Sequence, residues 1–314
     1  MGAANLHLLL PPPRHWPAGW PDVLGAAMGR ADRLDDGADA ALGRLFGLPG
    51  IPASAALSRL GEGDVDLGEV QCARWLRADP AWIRADINGA RLLGIGPMLA
   101  PDAADVDAFR PGLEALFEGE GIGFSMPHPA RAYLMIDGDE ALPRFSTPSE
   151  ALGADPFDHR PEGGDARRWR RLDSEAQVFL HQHPWQATRQ QRGRHPMNAL
   201  WFWGDQPLPD AVTSQVPMLA SDDPLLRGLG RLANLPVEAV PDAWRPGVQG
   251  VVDLRGQPVS TLVEGWLRPA LDGLGRNAMQ WICEDGPVLL MRRAQRWRVW
   301  RRPIDATSMT APAE

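Results

Sequence analysis

No lysine occurs anywhere in the chain, so all 32 basic residues are arginine, set against 40 Asp and Glu. Alanine, glycine, proline and tryptophan are abundant beside it, and the pattern reads as a coding bias. An arginine cluster here therefore says less about phosphate recognition than it would in a mixed-base protein. The net charge of −8 argues against bulk attraction to nucleic acid or to an anionic membrane, because both rest on a basic surface. Cysteine is almost absent: Cys72 and Cys283 form no CxxC pair, which excludes a disulfide framework and a thiolate metal site and fits a reducing cytoplasm. No apolar window approaches the roughly 18 residues of a membrane helix. The start, MGAANLHLLLPPPRHWP, lacks the basic leader and long apolar core of an export signal. Chemical motifs are missing too. There is no GxSxG elbow, HExxH helix, P-loop or acid-rich histidine cluster, and no nucleophile stands out.

What is present points to an α/β protein. Short apolar runs at Leu6–Leu10, Val70–Leu76, Ala90–Ile95, Gly121–Met126 and Ala130–Ile136 read as strands. Helical periods lie between several of them, at Asp36–Phe46 and at Asp102–Phe117, the second restarting at Pro111. The Pro-, Gly- and acid-rich segment 137–164 reads as a linker, placing one region at 1–145 and a second at 146–314, unless the two form one continuous domain. Charge supports the division: residues 1–150 hold 12 Arg against 21 acids, and 151–314 hold 20 against 19. The clearest helix follows, with Trp169, Leu172, Ala176, Phe179, Leu180 and His183 at three- and four-residue steps, Asp165 as its N-cap and an end before Pro184. Later helices are expected at Asp222–Leu235 and Val263–Leu274, strands at Val216–Ala220 and Val237–Val240, and two or three antiparallel strands over Ala278–Arg302 with a turn at Asp285-Gly286.

Each candidate constellation has a bland counterpart. His181 and His183 suggest a metal pair, but two residues apart on a helix of roughly 3.6 residues per turn they point away from each other. NALWFWG, from Asn198, is apolar on both faces, as a strand covered by helices on both sides would be. In a parallel sheet, ligands gather beyond the carboxyl ends of such strands, which would put Gly204, Asp205 and Gln206 at a site mouth. Arg189, Arg192, Arg194 and His195 precede that strand and could fix an anion or simply be solvated. RGLGRLA, around Gly228 and Gly230, lies within a helix rather than at a strand-to-helix turn and is not a dinucleotide fingerprint. RRAQRWRVWRR, Arg292–Arg302, mixes bases and aromatics as single-strand nucleic-acid surfaces do, yet its alternation also fits an edge strand.

Residues 165–204, DARRWRRLDSEAQVFLHQHPWQATRQQRGRHPMNALWFWG, resemble bacterial regulatory proteins of the RpfE type. Those in turn resemble a segment of archaeal-type cofactor-independent phosphoglycerate mutases, with matching positions at His183, Pro184, Arg189, Pro196, Asn198, Trp201, Trp203 and Gly204. Looser likeness covers WLRADP, HPARAYL, SDDPLLRGLGRLANL and RWRVWRRP, and so touches most of the chain. The resemblance implies a central mixed sheet flanked by helices, a degenerate alkaline-phosphatase or phosphoglycerate-mutase-like fold, with a C-terminal antiparallel strand pair. The mutases' two-metal centre has no identified counterpart here, so neither metal nor cofactor is expected.

The resulting expectation is a cytoplasmic, non-catalytic regulatory or binding protein, with a metal-dependent phosphomutase or phosphatase as the alternative. Its partner would be a small anionic ligand or a protein, with membrane and nucleic acid disfavoured. Candidate ligand-binding residues are His183, Arg189, Asn198, Asp205 and Gln206.

Overall fold

A computed structural model of the chain describes residues 4–16, 22–87, 89–138, 142–275 and 277–304. Two compact units emerge: Met1–Ile51 together with Asp210–Glu314, and Pro52–Pro209. The first carries a seven-stranded mixed sheet of β1 (Ala4–Leu10), β2 (Asp32–Leu34), β8 (Leu219–Ala220), β9 (Val237–Glu238), β10 (Gly250–Asp253), β11 (Ala278–Cys283) and β12 (Val288–Met291). Its order is β2-β12-β11-β1-β10-β8-β9. The block from β11 to β9 is parallel, and β12 and β2 extend it antiparallel.

Helices α1 (Asp22–Arg30), α2 (Ala38–Leu45), α9 (Pro224–Leu232) and α10 (Arg268–Asp272) flank this sheet, α10 preceded by wide π-turns over Thr261–Leu267. β1 shows how the two faces arise. Leu6, Leu8 and Leu10 enter one core with Leu24, Trp266 and Trp281, while His7 on the opposite face meets Gln280 Oε1 at 2.8 Å. The α/β class, the central mixed sheet with its helices, and the antiparallel pair β11–β12 turning at Asp285-Gly286 match the sequence expectation.

The second unit is built on antiparallel strands: β3 (Arg74–Asp86), β4 (Gly89–Ile95), β5 (Ile122–His128), β6 (Arg131–Ile136) and β7 (Ala199–Trp203). Its helices are α3 (Ala55–Glu62), α4 (Leu67–Gln71), α5 (Ala103–Glu118), α6 (Pro148–Ala151), α7 (Ala166–Gln182) and α8 (Trp185–Gln191). Phe109, Leu113 and Phe117 of α5 and Trp169, Leu172, Ala176 and Leu180 of α7 recur at helical spacing and bury against Leu76, Leu134, Leu200 and Phe202 of the strands.

Several expectations are corrected. β7 is covered on both faces, Leu200 and Phe202 in one core and Ala199 and Trp201 in another, but it pairs antiparallel with β3. Apolarity on both faces reports burial, not strand direction, so the carboxyl-end rule for parallel sheets does not apply to Gly204, Asp205 and Gln206. α5 runs through Pro111 without a restart, because the proline lies on its exposed face and the carbonyl of exposed Asp107 can turn to water. The 70–76 run divides into α4 and the start of β3.

Arg292–Arg302 is not a strand. It makes a 3₁₀ turn at Arg293–Trp297, with Arg292 and Arg298 both paired to Asp32, and leaves Trp297, Val299 and Trp300 exposed. Segment 137–164 is no linker where it is described: Phe145 packs on Trp169 and Phe202, and the backbones of Arg144 and Glu162 pair in an antiparallel bridge. Position 145 therefore lies inside the second unit. The chain divides instead at 51/52 and 209/210, because β1 and β2 belong to the same sheet as strands from the last third of the chain.

Candidate functional site

β8, β10, β1 and β11 run parallel, and the space beyond their carboxyl ends is where an open α/β sheet holds ligands. Ser221 follows β8, Asp253 closes β10 and Glu284 follows β11. Close strand packing sets this up: Gly250 opens β10 at φ +93, and a Cβ there would lie 2.3 Å from the Met218 carbonyl oxygen. The cleft, about 360 Å³, is lined by Asp222, Asp223, Asp253, Arg255, Gln257 and Glu284.

Arg255 sits among the carboxylates. Its Nε and Nη2 donate to the two oxygens of Asp253, both at 2.8 Å, and Nη2 also donates to Asp223 Oδ2 at 2.8 Å. Nη1 lies 3.7 Å from Glu284 Oε1. Ser221 Oγ donates to Asp253 Oδ2 at 2.9 Å and accepts from the Asp223 amide at 3.0 Å, while Asp223 Oδ1 caps α9 through the Leu225 amide at 2.8 Å.

Burial by itself would raise the Asp253 carboxyl, but the hydrogen bonds and charge of Arg255 outweigh it, and the net shift is downward. At Glu284 burial wins over the more distant Arg255, and that carboxyl is raised. Burial disfavours the Arg255 charge, yet the surrounding carboxylates hold its pKa above the usual value.

The residues expected at the site lie in the second unit, most of them bonded to protein groups. His183 ends α7, accepts the Trp185 amide on Nδ1 at 3.2 Å and packs edgewise on Phe109 and Phe179. Arg189 is fully buried: it pairs with buried Asp105 and donates to the carbonyls of Leu99 and His195. Arg194 reaches Asp102 at 2.5 Å, Arg192 the same carboxylate at 3.5 Å, and His195 stacks on Trp82 at 4.1 Å. Asn198 bonds the backbone of Ile83 in both directions, at 2.9 and 2.8 Å. Gly204 and Gln206 accept from the amides of Ala55 and Ala53, and Asp205 bridges Ser54, so this turn holds the entry to α3. Burial raises the Asp205 carboxyl. His183, Arg189 and Asn198 are brought close to the α5–β3–α8 junction, and Asp205 and Gln206 to the start of α3.

No family model matches the chain. Its sequence is 29% identical over 145 residues to the 2,3-bisphosphoglycerate-independent phosphoglycerate mutase of Methanothrix thermoacetophila, a match covering 45% of this chain and 34% of that one. It is 27% identical over 162 residues to the corresponding mutase of Methanosarcina acetivorans, covering 49% and 38%. The chain is a distant relative of these mutases. The match spans little more than a third of their length. Among solved structures, the cofactor-independent phosphoglycerate mutase from Thermoplasma acidophilum aligns with a TM-score of 0.40 and 16% identity over 98% of this chain and 96% of that one. A Pyrococcus horikoshii protein aligns at 0.44 and 14%, over 93% and 88%.

A two-metal centre of the kind the mutase resemblance implies does not fit the residues of this cleft. Asp253 and Asp223 are bonded to a guanidinium, whose charge would face any bound cation directly. Among the described residues no three His, Cys, Asp or Glu side chains converge as a metal set. The sequence hides this cluster because SDDP carries the signal of a helix start and Asp253 merely ends the apolar GVVD. An acid closing a buried parallel strand was the available signal.

A second buried network also escaped. Arg77 donates to both oxygens of Asp79 and to Ser58 Oγ, Tyr133 OH donates to Glu62 Oε1 at 2.7 Å, and Trp203 Nε1 donates to Asp79 at 2.9 Å. Burial raises the Tyr133 phenol. These groups satisfy one another and tie α3 to the antiparallel sheet.

Proposed function

We propose that the chain is a non-catalytic regulatory or binding protein, in keeping with its RpfE-type resemblance, on a phosphoglycerate-mutase-like framework that has given up metal chemistry. The observation that carries this reading is Arg255, an internal cation bonded to Asp253 and Asp223 beyond the carboxyl ends of the parallel strands. Phosphoryl transfer depends on positive charge delivered to the moving phosphate. Here the one guanidinium is neutralised by three carboxylates, and Asp222 adds further negative charge to the lining. An anionic substrate would meet repulsion. In the same reading His183, Arg189, Asn198, Asp205 and Gln206 hold their elements in place and do not contact a ligand.

The second reading, a metal-dependent phosphomutase or phosphatase, is favoured by the sequence similarity to the archaeal mutases. One experiment separates them. The full chain is assayed for interconversion of 2- and 3-phosphoglycerate and for p-nitrophenyl phosphate hydrolysis with and without added manganese, and its metal content is measured. No turnover and substoichiometric metal is the expected result. Metal-dependent turnover would overturn the non-catalytic reading.

A further inference from the structure

Within the second unit, α7, β7 and the turn at Pro156–His159 enclose a cavity of about 310 Å³, within the range of small-ligand pockets. Phe145, Leu200, Trp201 and Phe202 supply apolar wall, and Trp201 is locked by its indole N–H to the Ser146 carbonyl at 2.9 Å. Asp173, Arg170 and Arg160 supply the charge.

Asp173 follows Leu172 on α7 and so borders the buried stripe of that helix without belonging to it. Among the described residues nothing donates a hydrogen bond to its carboxylate. Burial pushes its carboxyl up to about 6, with the charge of Arg160 opposing the shift. Asp173 is half-buried, and a cleft carboxylate whose ionisation burial disfavours is a candidate binding group. The two arginines are equally unspent. Both are exposed, Arg160 lies over the Phe157 ring at 4.1 Å, and neither forms a salt bridge among the described residues.

We propose that this cavity binds a small zwitterion with an apolar body, of the amino-acid class. Its ammonium group pairs with Asp173, its carboxylate with Arg160 and Arg170, and its side chain lies against Phe145, Trp201 and Phe202. A simple anion would leave Asp173 unsatisfied and be repelled by it. A simple cation would be opposed by the two guanidinium groups. A ligand carrying both charges a few atoms apart, with an apolar remainder, uses the acid, the two arginines and the aromatic wall together. This goes beyond the proposed function: it concerns a different unit and is read by binding, not turnover.

The test uses the full chain and isothermal titration with L-phenylalanine and L-leucine, alongside phenethylamine and 3-phenylpropionate, which lack one charged end each. The expected result is saturable binding of an amino acid, weaker by about tenfold or more for both truncated probes and in Asp173→Asn and Arg170→Gln. Asp173→Asn removes a half-buried charge without a hydrogen-bond donor and Arg170 is exposed, so both variants should melt no lower than the parent. Absence of binding by both amino acids, equal affinity for a truncated probe, or undiminished affinity in a folded Asp173→Asn variant would each overturn the proposal.

Discussion

Arg189 has no exposed side-chain surface, and neither has the Asp105 it pairs with. Asp105 also accepts the indole N–H of Trp185 at 2.7 Å and the Asp102 amide at 2.9 Å, so this carboxylate joins the start of α5 to α8. Removing one member of such a pair leaves the other charged and buried. We expect Arg189→Met to lose roughly 3–5 kcal/mol in chemical denaturation, with part recovered when Asp105→Asn is added. A ligand-contacting arginine would show no such coupling. The sequence marked Arg189 as one of a run of bases before an apolar strand. It could not mark Asp105, which lies 84 residues earlier. A single side chain announces its charge, but whether that charge meets water, a ligand or another residue depends on what the fold brings to it. Arg255 teaches the same lesson: Asp253 is two residues away, while Asp223 is 32 away.

Legibility improves for elements whose signal is local. α5 and α7 carry their core faces at helical spacing, and the capping box of Asp102 and Asp105 states where α5 begins. β1, β4, β5 and β6 are short apolar runs bounded by turn residues. β3 was obscured because Pro80 sits in its middle, where a proline ordinarily argues against an inner strand. In the fold Pro80 pairs opposite Leu200, and the strand continues past it to a bulge between Trp82 and Ile83. Asn198 occupies that irregularity, giving its amide to the Ile83 carbonyl and taking the Ile83 N–H. Asn198→Ala should therefore cost about 1–3 kcal/mol in thermal unfolding, with the Ile83 amide among those whose hydrogen exchange accelerates most. Unchanged exchange at Ile83 would show that the side chain is dispensable to the bulge.

At the level of the whole molecule, β1 lies between β10 and β11 in the mixed sheet. The first unit therefore cannot be assembled from one continuous stretch, whereas Pro52–Pro209 holds its own antiparallel sheet and its own core. A fragment of residues 52–209 is expected to give dispersed amide resonances and a cooperative melt. A fragment of 210–314, deprived of its central strand, should give neither. If the shorter fragments behaved the other way round, the division of the chain would be misplaced.

Residue order by itself determined what depends on near neighbours: arginine as the sole base, the α/β class, the periods of α5 and α7, the terminal hairpin at Asp285-Gly286 and the divergence of His181 from His183. The tertiary structure alone decided that β7 runs antiparallel in a second sheet, that the two ends of the chain share the first, and that Arg255 answers the acids beyond its strands. Strand partners and ion pairs are chosen by contacts between residues tens to hundreds of positions apart, and no local period or composition encodes them.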